Sequence, residues 1–184
     1  MVTHKAVSLK SESGFTLIDL LFVCSLIGLL STLAIPGLMR AKGVAQSASA
    51  VGTLRIINSA QLSFAVTCGS GFYSPDLQTL GVNPPASFQA FLPKELSSDA
   101  TFIKSGYTFT MTGTSLAGAP GSCNGLAAGQ GAAGYLSTAD PLDPVGNPHF
   151  YGSNADGTIY EHSASLAASM PESGKSPVGY PVQQ

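Results

Sequence analysis

Residues 15–39 form a continuous apolar stretch, FTLIDLLFVCSLIGLLSTLAIPGLM, in which Asp19 is the one charged residue. As an α-helix this stretch would measure roughly 35 Å, enough to cross a bilayer core of about 30 Å. A run this long and uniformly apolar is poorly suited to the core helix of a small soluble domain. An ordinary signal peptide would be shorter, would lack the internal carboxylate and would end at an Ala-x-Ala site. We therefore predict a membrane-spanning helix that remains part of the working protein.

A short polar segment, MVTHKAVSLKSESG, precedes the apolar stretch and ends at Gly14, immediately before Phe15. This order of basic leader, Gly-Phe, acidic residue and long apolar helix resembles the N-terminal signal of type IV pilins and of the pseudopilins of type II secretion. The resemblance implies that a membrane peptidase cleaves between Gly14 and Phe15 and that the new N-terminal Phe15 is methylated. It also implies a cytoplasmic leader, in line with Lys5 and Lys10, although Arg40 and Lys42 flank the other end of the stretch.

Two residues within the apolar stretch have roles that the resemblance implies. Asp19 occupies the fifth position after the cleavage site, where the family usually has Glu, and would pair with the Phe15 ammonium of a neighbouring subunit. The alternative is an acid that is merely tolerated near the membrane interface. Pro36 interrupts the helix, because proline removes one backbone hydrogen bond. It produces either a simple kink or, as in the similar pilins, a locally melted turn that lets a filament stretch.

The helix is predicted to continue as an amphipathic segment over residues 40–67. Ala50, Leu54, Ile57 and Phe64 recur near the helical period and are expected to face the core. The polar residues between them, Arg55, Asn58 and Gln61, are expected elsewhere on the helix surface. Cys68 and the glycines that follow it end the helix.

The remaining residues, 68–184, are predicted to form a globular head. Residues 105–112, 135–139, 149–151 and 158–160 have strand patterns, and the last two flank an Asp-Gly turn signal. Residues after His162 are expected to form a loose tail. The strands resemble the C-terminal sheet of small type IV pilins, and the stretch DPVGNPHFY resembles a segment of major pseudopilins. The predicted fold class is α+β: a long N-terminal helix packed on a small antiparallel sheet, with residues 1–14 as leader.

Three cysteines are present. Cys24 lies in the apolar helix and is expected to be a buried thiol. Cys68 and Cys123 lie beyond it, where an exported compartment permits a disulfide; two free thiols are the alternative. No metal site is predicted. The weak calcium candidates are Asp140, Asp143, Asn154 and Asp156, whose spacing fits no standard calcium loop and whose residue types are common in turns.

Composition limits the function further. The net charge is −2 and no run of Lys or Arg is present, so no nucleic-acid partner is expected. No nucleophile motif, phosphate-binding loop or metal-ligand spacing is present, so neither an enzyme nor a cofactor is expected. The resemblance implies a structural subunit of a type IV pilus, with itself, the prepilin peptidase, the inner-membrane assembly machinery and the lipid bilayer as partners. The precursor would lie in the inner membrane with a periplasmic head, and the assembled form in an extracellular pilus. A periplasmic pseudopilus of type II secretion and a membrane-anchored binding module are the alternatives.

Overall fold

The computed structural model describes residues 14–85, 87 and 89–182. The chain divides into an N-terminal unit, Met1–Ala41, and a C-terminal unit, Lys42–Gln184. Helix α1, Leu17–Thr67, has residues in both units. Most of the predicted leader, residues 1–13, lies outside the described residues.

The helical part of the C-terminal unit, residues 42–67, packs on a sheet along one stripe. Ala50, Leu54, Ile57 and Phe64 are fully buried, as their spacing predicted. They meet Tyr107, Phe109 and Met111 of the sheet and form one apolar core, to which the short helix α2, Leu77–Leu80, and the 3-10 turn Lys94–Leu96 also contribute. Burial of this stripe stabilises the helical part of the unit more than intrinsic helix propensity does.

In the part of the chain that the structure describes, the sheet has six strands, each hydrogen-bonded to the next in chain order and all antiparallel. Their bounds are Thr101–Lys104 (β1), Tyr107–Thr112 (β2), Leu136–Pro141 (β3), Phe150–Asn154 (β4), Ile159–His162 (β5) and Tyr180–Pro181 (β6). The predicted α+β class, a long helix on an antiparallel sheet, is confirmed.

The first hairpin corrects the predicted strand that began at residue 105. Ser105 and Gly106 are not strand residues but the two-residue turn between β1 and β2, and both have positive φ, 50° and 81°. This pair of left-handed residues matches the right-handed twist of the strands that it joins. A Cβ at Gly106 would also lie 2.5 Å from the side-chain nitrogen of Gln46, so the turn lies directly against the helix.

The expectation of a loose tail after His162 is wrong. Leu166 and Met170 are buried against Leu136 and Tyr160, on the sheet face opposite the helix. Their contact leaves no room at Gly152, where a Cβ would lie 3.0 Å from both Leu166 and Met170. The tail also includes strand β6, which pairs with β5, so it extends the sheet as well as packing on its second face.

Two polar residues of the helix are part of this packing, and the expectation that they lie on its free surface is wrong. The buried amide of Gln61 accepts from the backbone N–H of Ser74 at 2.9 Å and donates to the Ser74 carbonyl at 2.8 Å. The Asn58 amide donates to Ser153 Oγ at 2.7 Å, and its oxygen accepts from the Tyr135 hydroxyl at 3.0 Å. Polar groups inside a fold are tolerated where their hydrogen bonds are made, and these amides tie the helix to the loop at Ser74 and to the sheet at Ser153.

Candidate functional site

The predicted cleavage junction lies just outside the helix. Gly14, Phe15 and Thr16 have no regular secondary structure, α1 begins at Leu17, and all three residues are exposed. A Cβ added to Gly14 would meet no described atom within 4 Å. Any requirement for glycine at this position therefore comes from a partner that reads the segment, such as a peptidase, because the described fold does not impose it.

Thr16 and Asp19 form a reciprocal capping box at the start of α1. The Thr16 hydroxyl accepts from the Asp19 backbone N–H at 3.3 Å, and Asp19 Oδ2 accepts from the Thr16 backbone N–H at 3.3 Å and from the Thr16 hydroxyl. Such a box satisfies two backbone donors that a helix otherwise leaves unpaired at its N-terminus. Asp19 therefore has a partner within its own chain, which the sequence analysis missed. The Thr-x-x-Asp spacing before an apolar run is the signal that indicates it.

The apolar segment that follows presents its side chains outward all around the helix. Each described residue of the N-terminal unit is exposed except Ser31, which is half-buried. Within the described part of the chain, α1 is the helix that is long enough and apolar enough to cross a membrane. None of its most apolar stretch is buried in the protein. The segment is therefore not the core helix of this fold. Cys24, expected to be buried, is a free and exposed thiol within the chain itself.

Polar side chains within this segment bond to the helix that carries them. Ser25 Oγ donates to the Leu21 carbonyl at 2.9 Å, and Thr32 Oγ1 donates to the Leu29 carbonyl at 2.8 Å. Such back-bonding satisfies hydroxyl groups in an apolar environment. Pro36 lies inside α1, which continues through it, so the locally melted form of this turn is not the one in the structure.

A disulfide ties the C-terminal end of α1 to the Gly-rich loop that follows β2. Cys68 and Cys123 are bonded across 55 residues of sequence, and the Cys123 backbone N–H donates to the Cys68 carbonyl at 3.2 Å. The helix ends here because Gly69 and Gly71 turn back to bond the carbonyls of Phe64 and Ala65. A Cβ at Gly69 would lie 2.2 Å from the Phe72 carbonyl oxygen, so this close turn requires glycine.

The four calcium candidates have separate partners. Asp143 Oδ1 accepts from the backbone N–H groups of Val145 and Gly146, and Asp156 Oδ1 accepts from that of Gly174. The Asn154 amide donates to two carbonyls of the tail. Asp140 accepts from Ser165 through one oxygen, and its other oxygen is buried with no partner among the described residues. Among the described residues, no three His, Cys, Asp or Glu side chains are grouped to hold a metal.

Comparison with known proteins identifies no family for this chain. No protein-family model, curated protein or solved structure matches the chain.

Proposed function

We propose that this chain is a structural subunit of a type IV pilus, stored in a membrane through its N-terminal helix and polymerised through the same helix. The observation that carries the proposal is the exposed apolar segment of the N-terminal unit, which begins at a capped helix start directly after Gly14-Phe15. The C-terminal unit has its own buried core, formed without side chains from this segment. Apolar surface on this scale is covered by lipid or by other chains.

Processing and assembly then follow from the same few residues. A prepilin peptidase of the inner membrane cuts between Gly14 and Phe15, and Phe15 is methylated. The Asp19 carboxylate accepts both of its described bonds through Oδ2, so Oδ1 faces no described donor. In the filament, Oδ1 accepts from the Phe15 ammonium of the next copy while the capping box persists. A carboxylate without such a partner is costly in a bilayer, which favours the assembled state.

A pseudopilin of type II secretion is the second candidate, and one segment favours it. The Asp-Pro-x-Gly-x-Pro stretch that begins at Asp143 forms a tight turn, in which the Asn147 backbone N–H donates to the Asp143 carbonyl at 2.9 Å. Asn147 then anchors this turn to the Tyr107 hydroxyl at 3.0 Å. The stretch that resembles major pseudopilins is therefore an ordered part of the fold.

A deletion strain separates these functions. For the pilus subunit, we expect loss of surface filaments by electron microscopy with unchanged secretion of exported enzymes, and restoration of filaments by the intact gene. Loss of secretion without loss of surface filaments would favour the pseudopilin. Normal filaments and normal secretion would contradict both and would favour a membrane-anchored binding module.

A further inference from the structure

Three segments meet where α1 enters the C-terminal unit: helix residues 42–49, the β1–β2 turn and the β3–β4 loop. The Ser49 hydroxyl donates to Ser105 Oγ at 2.9 Å, and the Leu142 backbone N–H donates to the Gly106 carbonyl at 2.9 Å. The Asn147 amide reaches the Gly43 carbonyl at 3.4 Å. We call the exposed residues of these segments, with the adjoining Lys104, the entry surface.

The entry surface exposes apolar side chains on rigid supports. Val44 is 71% exposed, Leu142 56% and Val145 93%. Val145 lies at the tip of a turn that the Asp143 carboxylate closes by accepting from the Val145 and Gly146 backbone N–H groups at 3.2 and 3.0 Å. An ordered turn holds this valine almost fully in solvent. Its side chain therefore does not stabilise the fold, since burial of apolar surface is what stabilises.

Cations belong to the same surface as these apolar side chains. Lys42 and Lys104 are both exposed on the entry surface, and Arg40 precedes Lys42 by two residues. The Asp143 carboxylate is the acid within the β3–β4 loop, and its Oδ1 is already engaged by the two backbone donors. Basic residues around exposed apolar side chains are typical of proteins that bind an anionic membrane interface.

Connectivity places this surface close to the end of the apolar segment. The apolar stretch ends at Met39, and Arg40 and Ala41 alone separate it from Lys42. Even fully extended, three residues span only about 10 Å. If the stretch crosses a bilayer, the entry surface therefore lies at the headgroup layer. This step rests on the membrane insertion that the proposed function assumes.

We infer that the entry surface is a membrane-docking surface, in which Val145 and Leu142 insert into the headgroup region and Lys42 and Lys104 contact anionic lipid. The stored subunit would thus be held by its helix and by this surface, and extraction into a filament would break both contacts.

Site-specific fluorescence in vesicles tests this inference. The full-length chain carries Cys24→Ser, so that an engineered thiol is labelled while the Cys68–Cys123 disulfide stays closed. An environment-sensitive dye on Val145→Cys should shift to the blue in phosphatidylcholine–phosphatidylglycerol vesicles and be quenched by lipid with a shallow spin label. Leu116→Cys is the matched control: it is an exposed apolar residue whose loop pairs, through Ala132, with Tyr73 beyond the helix end. That end lies about 38 Å along the helix from Lys42, and its dye should behave as in water.

The lysines and the lipid charge provide a second measurement. Lys42→Gln with Lys104→Gln, or vesicles of phosphatidylcholine alone, should reduce the blue shift at residue 145. A chain that co-floats with vesicles and resists carbonate extraction is inserted. If its dye at residue 145 still shows water-like emission, the inference is overturned but the proposed function stays intact. Failure of the chain to insert at all would contradict the proposed function as well. If the blue shift at residue 145 depends on the amount of protein per vesicle rather than on the lipid, the surface contacts a second copy. That result would also overturn the inference.

Discussion

At the scale of single residues, Asp19 has two separable tasks: it caps its own helix through Thr16 and, in the proposed filament, pairs with a neighbour's ammonium. Both tasks use one carboxylate, and the Oδ2 contacts of the capping box leave Oδ1 for the second. Variants that keep the hydrogen bonds but remove the charge can therefore separate the tasks.

The matched variants are Asp19→Asn and Thr16→Ala. Asparagine can still accept from Thr16 but has no charge, whereas Thr16→Ala removes the hydroxyl contacts of the capping box and keeps the carboxylate. We expect Asp19→Asn to lower filament incorporation about tenfold or more, since an unpaired charge in a bilayer costs roughly 2.5–3.5 kcal/mol and this drive to assemble is lost. Thr16→Ala and Asp19→Glu should assemble nearly normally. The ratio of sheared filament to membrane-bound protein, measured by immunoblot, checks this.

Two results would contradict the pairing. Equal losses in Thr16→Ala and Asp19→Asn would assign the effect to the capping box. Normal filaments from Asp19→Asn would make Asp19 a tolerated acid.

Individual residues also show which features of the packing the sequence predicts and which it does not. The spacing of Leu54, Ile57 and Phe64 indicated the buried stripe, because burial follows the helical period. Gln61 lies four residues after Ile57 and three before Phe64, on the same stripe, and only its polarity placed it on the free surface; its amide is buried and bonds both backbone groups of Ser74. Its spacing fits burial, but the sequence does not show that a loop supplies hydrogen bonds for the buried amide, since that partner is known only once the loop is folded.

At the scale of elements, the Cys68–Cys123 disulfide joins the helix end to a loop that has little regular structure. The loop is held otherwise by short backbone contacts, such as the Ala132 bridges to Tyr73 and Ser115, and by the Asn124 amide, which donates to the Thr79 carbonyl at 2.7 Å. The disulfide is therefore expected to be a main source of stability for this part of the C-terminal unit.

Cys68→Ser with Cys123→Ser should lower the free energy of unfolding by about 4 kcal/mol, the chain-entropy value for a closed loop of this size. Urea denaturation in detergent, followed by tyrosine fluorescence, measures this. Cys24→Ser is the matched control and should leave the unfolding midpoint unchanged. A loss below about 1 kcal/mol in the double variant would show that the backbone contacts suffice without the disulfide.

The elements differ in how far the sequence predicts them. The four strands with alternating or turn-flanked patterns were found near their predicted positions, because alternation and an Asp-Gly turn are local signals. β1 and the packed tail were not predicted. The tail contributes mainly Leu166 and Met170 to the second face of the sheet, separated by polar and small residues with no period. Gly152, which makes room for both, has no local signature of this role.

At the scale of the whole molecule, three buried tyrosines couple the packing of the sheet to pH. Burial raises the pKa of Tyr107, Tyr135 and Tyr151 above the ordinary value of 10.0. Well below pH 10 all three are neutral in both the folded and the unfolded chain. Above pH 10 the unfolded chain releases these protons first, so unfolding becomes more favourable.

We therefore expect the contribution of these groups to the free energy of unfolding to be independent of pH up to about pH 10. It should fall as the pH rises further. Tyr135→Phe should reduce this fall, although it also loses the hydrogen bond to Asn58. Tyr180→Phe, at a largely exposed position, is the control for phenol removal. Urea midpoints between pH 8 and 11 measure the slopes. An unchanged slope in Tyr135→Phe would contradict the assignment to Tyr135.

The N-terminus of the working protein tests the proposed function most directly. Mass spectrometry of the chain recovered from filaments should show loss of residues 1–14 and the added mass of one methyl group on Phe15. Gly14→Val, at a position where an added Cβ meets no described atom, should leave the leader attached and abolish filaments, whereas Gly14→Ala should still be cut. Filament protein that retains its intact leader would contradict the proposed function.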